Sequence, residues 1–131
     1  MYTFKKEERL CSKRLLEKLF HNGSSFLVYP FRIVSVPETL TVDFPAQIVI
    51  AVSKRKFKHA VDRNLIKRRM REAYRLNKDE LLYPFLRERG LNLIISIHYI
   101  GNEITEYSFM EKKLKQAIRK LTDSYAEHPT L

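Results

Sequence analysis

The 131-residue chain is poor in cysteine and glycine and has no long apolar run. Its single cysteine, Cys11, excludes an intramolecular disulfide and a cysteine-rich zinc site, so a reducing cytoplasmic setting is expected. The three glycines, at positions 23, 90 and 101, lie too far apart to form a glycine-rich phosphate loop. The longest mostly apolar stretch, residues 91–100, is about half the length of a membrane span. Nucleotide-driven chemistry and membrane insertion are therefore not expected.

Side chains that usually carry catalysis are scattered along the chain. The four histidines form no pair at metal-ligand spacing, and the aspartates form no cluster of the kind that two-metal nucleases use. Cys11 has no adjacent base and is expected to be a small packing residue. The first ten residues carry charges where a signal peptide is apolar, which again favours the cytoplasm. We expect no catalytic residue, no metal ligand and no cofactor held by the protein itself.

Positive charge is what the chain has in excess. It holds 25 Lys and Arg against 15 Asp and Glu, and residues 54–75 alone contain ten basic and two acidic side chains, a net charge of +8. A solvated helix face usually mixes signs, and mutual repulsion costs stability unless a polyanion is present. Cations that neutralise phosphates release counterions whatever the sequence, so the pattern predicts a nucleic-acid partner. RNA is favoured over DNA, because no helix-turn-helix pattern precedes the basic segment.

Hydrophobic patterning predicts a helix and then strands in the first half of the chain. Ser12 is the candidate N-cap of a helix that stops at Asn22-Gly23, with an apolar stripe at Leu15, Leu16, Leu19 and Phe20. Residues 31–36 predict a strand, and residues 39–42, within a polar connection, could add another. Residues 46–52 are nearly all apolar, which predicts a strand covered on both faces and central in the sheet.

The second half predicts two long helices around one strand. A helix at about residues 60–76 places an apolar side (Ile66, Met70, Ala73, Tyr74) opposite a cationic stripe (Asn64, Lys67, Arg68, Arg71, Arg75). Residues 77–90 read as a less regular connection with room for a short helix, and residues 91–100 as a strand. The last helix is predicted from Ser108, with a capping box to Glu111, to about Tyr125. We expect one α/β layer domain over residues 1–131, with a flexible tail after about residue 125.

One ordered motif within the basic segment is specific. Residues 60–72, A-V-D-R-N-L-I-K-R-R-M-R-E, follow Ser53-Lys54-Arg55 at the end of a predicted strand. The segment resembles the signature of the bacterial ribonuclease P protein component, approximately A-x-x-R-N-R-x-K-R-x-x-R-E behind a strand ending in S-K-[KR]. Phe20 to Gly23 match the F-x-x-G that ends the family's N-terminal helix. The resemblance extends over nearly the whole chain, and a charge run alone would not fix this order.

The resemblance implies a fold and a role. The family fold is an α/β (α+β) two-layer sandwich, a small mixed sheet packed with helices, with a left-handed β-α-β crossover against the usual rule. The implied role is that of an RNA-binding subunit of an endoribonuclease in which the RNA subunit carries out the chemistry and the protein alone is inactive. The implied partners are the ribonuclease P RNA and the 5′ leader of precursor tRNA, which the holoenzyme removes. The holoenzyme requires Mg²⁺, held mainly by RNA and substrate, and neither DNA nor a membrane is expected.

The resemblance also implies which residues contact RNA. In the family, the signature helix and its preceding loop face the catalytic RNA, and a cleft between the N-terminal helix and the sheet receives the leader. Phe20 and Phe31 match aromatic positions of that cleft, although spacing alone favours a core role for either residue by about two to one. With the other cations of the loop and helix, the predicted RNA-binding set is Lys54, Arg55, Lys56, Lys58, Arg63, Asn64, Lys67, Arg68, Arg71 and Arg75.

Four positions depart from the family pattern. Leu65 stands where the second Arg of R-N-R is common, which removes a fork that grips phosphate, and neighbouring Arg69 is a candidate to compensate. Asp62 replaces a neutral or basic residue, and it could cap the helix, pair with a nearby Arg or face a metal. We favour the helix N-terminus for this acid. Leu16 and Val34 stand where the family often has a cleft Phe and a Tyr, so leader stacking is expected to be weaker or to use other residues.

Two other functions stay open from the sequence. A ribosomal or other structural RNA-binding protein would show the same charge and α/β pattern, and co-purification with ribosomal subunits would favour it. A protein-only metal-dependent nuclease is disfavoured by the missing carboxylate and histidine clusters, and Mg²⁺-dependent cleavage by the RNA-free protein would favour it.

Overall fold

The computed structural model describes residues 3–126, so most of the predicted tail lies outside the described residues. After a short 3-10 turn, four helices and four strands follow in the order predicted by the periodicity, with one strand added. The short helix for which residues 77–90 left room is present. The elements are the turn Lys6–Glu8, α1 Lys13–Asn22, β1 Ser24–Val28, β2 Phe31–Pro37, β3 Ala46–Val52, α2 Ala60–Leu81, α3 Tyr83–Arg89, β4 Leu93–Tyr99 and α4 Tyr107–Ala126.

The four strands form one mixed sheet in the order β1-β2-β4-β3. β1 pairs with β2 and β2 with β4 in antiparallel fashion, whereas β3 and β4 are parallel neighbours joined by a crossover through α2 and α3. This arrangement confirms the predicted α+β class with a small mixed sheet and packed helices. That the crossover between β3 and β4 is left-handed remains a prediction.

Successive side chains of each strand point to opposite faces of the sheet, so the core consists of two clusters, one on each face. One face, with Phe31, Ile33, Ile95 and Ile97 among its residues, packs against α2 and α4 in the main core. The opposite face carries a smaller cluster of Leu10, Leu15, Leu19 and Ile94, through which α1 packs on β2 and β4. Because α1 is only ten residues long, it covers part of this face, and Leu27 and Arg32 stay exposed beside it.

The predicted central position of residues 46–52 is wrong, because β3 is an edge strand and β4 is central. The outer edge of β3 is covered by the N-terminal segment, where the Leu10 amide donates to the Ile48 carbonyl at 2.7 Å and Arg9 forms a parallel bridge with Ile48. An apolar run indicates that both faces of a strand are buried, but it does not identify the neighbours in the plane of the sheet. β4 is buried on both faces except at His98, whereas β3 is buried at Ala46, Ile48 and Val52 and only partly buried at its other residues.

Several helix boundaries also differ from the predictions. α2 continues to Leu81, five residues beyond the predicted end, and α3 covers half of the connection predicted at residues 77–90. The predicted capping box of the last helix does not form, because α4 begins at Tyr107 and the Glu111 carboxylate instead accepts hydrogen bonds from Asn77 Nδ2 and the Tyr107 hydroxyl. Asn77 lies on α2, so a contact between helices has replaced a local cap.

Of three local predictions for the first half of the chain, two are wrong and one is confirmed. Residues 39–42 form no strand, whereas Ser24–Val28, which was not predicted, forms β1. Cys11 is exposed and is not the packing residue that was expected. Ser12 caps α1 as predicted, because its hydroxyl oxygen accepts from the Leu15 amide.

Gly23 allows the end of α1 to lie directly on β2. A Cβ at this position would stand 2.4 Å from the Leu19 carbonyl oxygen and 2.6 Å from Val34 Cγ1, closer than van der Waals contact. The backbone φ of Gly23 is −74°, so the requirement is for space rather than for a left-handed conformation. This close approach is a physical reason for the glycine in the F-x-x-G motif.

Candidate nucleic-acid interface

The apolar side of α2 faces the core and its cationic stripe lies on the opposite side, as the periodicity predicted. Ile66, Met70, Ala73 and Tyr74 are buried in the main core. Asp62 lies in the first turn of the helix, the position we favoured, where a carboxylate interacts well with the positive end of the helix dipole.

The loop before α2 is fixed by hydrogen bonds to the backbone. The Ser53 hydroxyl accepts from the Arg55 and Lys56 amides, and the Lys56 ammonium donates to the Ile100 carbonyl at 2.7 Å. Arg63 Nη1 donates to the carbonyls of Phe57 at 2.7 Å and Lys58 at 2.9 Å. Arg63 and Lys56 therefore hold the loop in one conformation.

Six other cations of the loop and of α2 have no partner within residues 3–126. Across residues 3–126, none of their side chains takes part in a hydrogen bond or an ion pair with another protein group. We refer to these six residues as the cationic surface: Lys54, Arg55, Lys58, Lys67, Arg68 and Arg71. Unpaired ammonium and guanidinium groups keep all their donors for an external anion, and Arg can grip a phosphate through two of them.

Two other arginines of α2 have intramolecular partners. Arg75 Nε and Nη2 each lie 2.7 Å from Glu72 Oε1. Arg69 Nη1 donates to the Thr105 carbonyl at 2.5 Å, which ties α2 to the loop before α4. Arg69 was the candidate to compensate for Leu65, but its guanidinium already bonds to Thr105 within the protein. Asn64, one turn before Arg68, is exposed.

The structure separates the two aromatic residues that were predicted to share a leader cleft. Phe20, on the last turn of α1, is 65% exposed. Phe31 has no exposed surface, and its ring packs edge-on against Tyr99 with centroids 5.9 Å apart. Because Phe31 faces the main core, its prediction as a cleft residue is wrong. Leu16 and Val34 likewise pack in the smaller cluster beneath α1.

The open part of the sheet face beside α1 was missed because β1 was not predicted. Leu27, which is 54% exposed, pairs with Arg32, and Arg32 pairs with His98 on the next strand, so the three share one face. The pKa of His98 is lowered by partial burial and by the nearby cations Arg32 and Lys56. We refer to Phe20, Leu27, Arg32 and His98 as the open sheet face.

A buried ion pair at the end of α2 was also missed. The Lys78 ammonium contacts Glu8 Oε1, and the Tyr83 hydroxyl donates to the same oxygen at 2.5 Å. Both charged side chains are at most 1% exposed. The sequence held one signal for it, because Lys78 continues the buried stripe of Met70 and Tyr74 at a spacing of four residues.

Neither a metal-ligand cluster nor a membrane-spanning helix is found among residues 3–126. Among residues 3–126, no three His, Cys, Asp or Glu side chains lie together as a metal site would require, and we assign no metal ligand there. None of the helices in the same range combines the length and the apolar character needed to cross a bilayer.

Comparison with known proteins identifies the family. A family model described as Ribonuclease P matches residues 4–122. The ribonuclease P protein component of Petrotoga mobilis is 47% identical over 121 residues, covering 91% of this chain and 95% of that protein. The corresponding protein of Porphyromonas gingivalis is 31% identical over 120 residues, covering 92% of this chain and 87% of that protein.

Solved structures show the same fold at lower identity. The RNase P protein of Thermotoga maritima superposes with a TM-score of 0.68 at 20% identity, covering 86% of this chain and 96% of that one. The Staphylococcus aureus RNase P protein gives 0.66 at 19% identity, with coverages of 87% and 94%. Sequence and fold agree with the motif on α2, and the chain therefore belongs to the ribonuclease P protein component family, whose general role is in RNA processing.

Proposed function

We propose that this protein is the RNA-binding subunit of a cytoplasmic ribonuclease P, and that it assists a catalytic RNA in removing the 5′ leader from precursor tRNA. The observation that carries the proposal is the cationic surface, whose six side chains have no partner within the described residues. Membership of the ribonuclease P protein component family supports ribonuclease P RNA, rather than DNA, as the proposed anion. The protein alone is expected to be inactive.

The cationic surface is suited to binding RNA through its phosphates. The Arg63 and Lys56 contacts to backbone carbonyls order the loop before RNA arrives, so little conformational entropy is lost on binding. Each phosphate that is neutralised releases counterions, and the affinity is expected to fall steeply with salt. Near the scissile bond, the same cations would reduce repulsion between the phosphates of the two RNAs.

The open sheet face is the site that we propose for the single-stranded leader. Phe20 and Leu27 offer exposed apolar surface on which unpaired bases can stack, and Arg32 is paired with Leu27 across the strands, where it can bind a phosphate. Mature tRNA lacks the leader, so contacts at this face would favour the precursor over the product. Phe31 takes no part.

The Mg²⁺ that the family requires is proposed to be held by RNA and substrate. No residue of the described chain is assigned to it, and we derive no catalytic step through the protein. The protein's contribution is therefore to bind and position RNA.

The subunit role is tested by cleavage of 5′-labelled precursor tRNA at low Mg²⁺ with a bacterial ribonuclease P RNA. Three reactions are compared: RNA alone, protein alone, and both together. We expect stimulation only in the combined reaction. Cleavage by the protein alone would point to a protein nuclease, and tight RNA binding without stimulation would point to a structural RNA-binding protein.

The leader contact is tested with Phe20→Ala, which should weaken binding of precursor tRNA by about 1 kcal/mol or more and leave mature-tRNA binding unchanged. Phe109→Ala is the matched control, because Phe109 is also an exposed phenylalanine but lies on α4, away from the open sheet face. Equal losses for precursor and mature tRNA in Phe20→Ala would remove this residue from the leader site.

A further inference from the structure

An open groove of about 660 Å³ runs beside α2, on the side of the sheet opposite the open sheet face. It lies between α2, the segment before α1 and the start of α4. Its lining includes three largely apolar side chains, Phe4, Leu65 and Tyr107, and three cations, Arg9, Arg68 and Arg71. A cavity of this volume falls within the range of about 300–1,000 Å³ that is typical of sites for small ligands.

The aromatic walls of the groove are held in place by their neighbours. The Phe4 ring packs edge-on against Tyr74 with centroids 5.6 Å apart, and the Arg9 guanidinium lies 5.4 Å from the Phe4 centroid. The Tyr107 hydroxyl donates to Glu111 Oε2 at 3.3 Å. Two rings are therefore presented to the groove without needing to be ordered by a ligand.

The charge of the groove selects an anion. Five arginines and one glutamate line it, and that glutamate, Glu72, is paired with Arg75. Arg68 and Arg71 belong to the cationic surface and have no partner within residues 3–126. Flat apolar walls next to free guanidinium groups match a base and its phosphate, because bases stack on aromatic rings and Arg grips phosphate.

We propose that this groove receives one unpaired nucleotide of the RNA, whose base packs between Phe4, Leu65 and Tyr107 while its phosphate pairs with Arg68 and Arg71. The inference rests on the proposed RNA-binding function and adds to it a base-binding site distinct from the open sheet face. The cationic surface thus recognises unpaired bases as well as phosphates.

Leu65 is the residue that makes the groove suitable for a base. An arginine there, as in the family signature, would fill the space with a charged side chain, whereas Leu65 provides a half-buried apolar wall. A smaller cavity of about 190 Å³ continues from the groove and shares Phe4, Arg9 and Arg71 with it. The adjoining nucleotide has a path along these shared residues towards β3.

The test compares two labelled oligomers of equal charge, hexa-adenylate and a hexamer of abasic ribose phosphate. Binding is measured by fluorescence anisotropy in the Phe20→Ala background, so that stacking at the open sheet face does not dominate. We expect hexa-adenylate to bind about tenfold more tightly than the abasic oligomer. Leu65→Arg should remove most of this preference. Val61→Arg is the matched control, because it adds the same charge one turn earlier at a 78% exposed position outside the groove.

Two results would overturn the site: no preference for hexa-adenylate in the parent protein, or a preference that survives in Leu65→Arg. Neither result bears on the subunit role, because stimulation of precursor cleavage is measured separately. Circular dichroism checks that Leu65→Arg folds. Should it not fold, Tyr107→Leu keeps an apolar side chain at this wall but removes the flat ring, and the same loss of preference is expected.

Discussion

The two ends of α2 use positive charge in opposite ways. In its first turns, Lys67, Arg68 and Arg71 have no partner within the described protein. Near its end, Lys78 is 1% exposed and is paired with the equally buried Glu8. The same kind of side chain therefore serves ligand binding at one end of the helix and folding at the other, and the difference is set by whether a carboxylate is within reach.

Electrostatics explains why each arrangement persists. A buried ammonium without a partner is strongly unfavourable, so Lys78 depends on Glu8 and on the Tyr83 hydroxyl that satisfies the same carboxylate. Exposed cations stay hydrated and cost only modest mutual repulsion, which a bound polyanion relieves. Substitutions at the end of α2 should therefore change stability, and those at its start should change RNA binding.

The largest effect is expected for Glu8→Ala. It leaves the buried Lys78 ammonium with only the partly exposed Asp79 carboxylate, 3.8 Å away, as an acidic partner. The free energy of unfolding should therefore fall by about 3–5 kcal/mol, measured by urea denaturation. Lys78→Met in the Glu8→Ala background should recover part of the loss, because the buried charge is gone. Glu7→Ala is the control, since Glu7 is exposed. A loss below about 1 kcal/mol in Glu8→Ala would show that the ion pair does not matter to stability.

A smaller, mixed effect is expected for Arg63→Ala, because Arg63 belongs to the signature and yet bonds to the Phe57 and Lys58 carbonyls. The unfolding free energy should fall by about 1–3 kcal/mol, and RNA affinity should fall as well, because the loop is released. Arg63→Lys keeps the charge but loses the fork, so it should behave like the alanine variant. Wild-type behaviour of Arg63→Lys would mean that only the charge is used.

Arg68→Ala should affect binding alone. Affinity for the ribonuclease P RNA is expected to fall, and the slope of log K against log salt should flatten by about one unit, as measured by filter binding over a salt series. Its unfolding free energy should stay within about 0.5 kcal/mol of wild type. An unchanged slope would remove Arg68 from the phosphate contacts.

The smallest effect concerns pH and the partly buried side chain of His98. Because the pKa of His98 is lowered in the folded protein, the unfolded chain binds the proton more tightly. The contribution of His98 to stability is full above the unfolded pKa of about 6.5 and declines as the pH falls below it. Wild type should lose slightly more stability than His98→Gln between about pH 7.5 and pH 5.5 in urea denaturation. Identical stability-against-pH profiles for the two proteins would show that His98 does not make this contribution.

Local signals predicted most of the secondary structure. The Ser12 cap, the stripe of α2 and the strands at 31–36 and 46–52 were correct because caps and periodicity depend on neighbouring residues. The capping box at Ser108 was wrong because Glu111 bonds to Asn77 on another helix, and that competition is not visible locally. The candidate site shows the same difference between local signals and tertiary contacts. The motif identified the cations of α2, but only packing showed that Phe31 is buried and that Phe20 is exposed.

By itself, the sequence determined the net charge, the helix that carries the signature cations and the family to which the chain belongs. These properties depend only on which residues are present and in what order. The tertiary structure alone decided that β3 lies at an edge, that Arg63 and Arg69 are engaged within the protein and that Lys78 meets Glu8. Glu8 and Lys78 are 70 residues apart in the chain. Contacts at such separations depend on how every intervening element packs, and no local pattern encodes them.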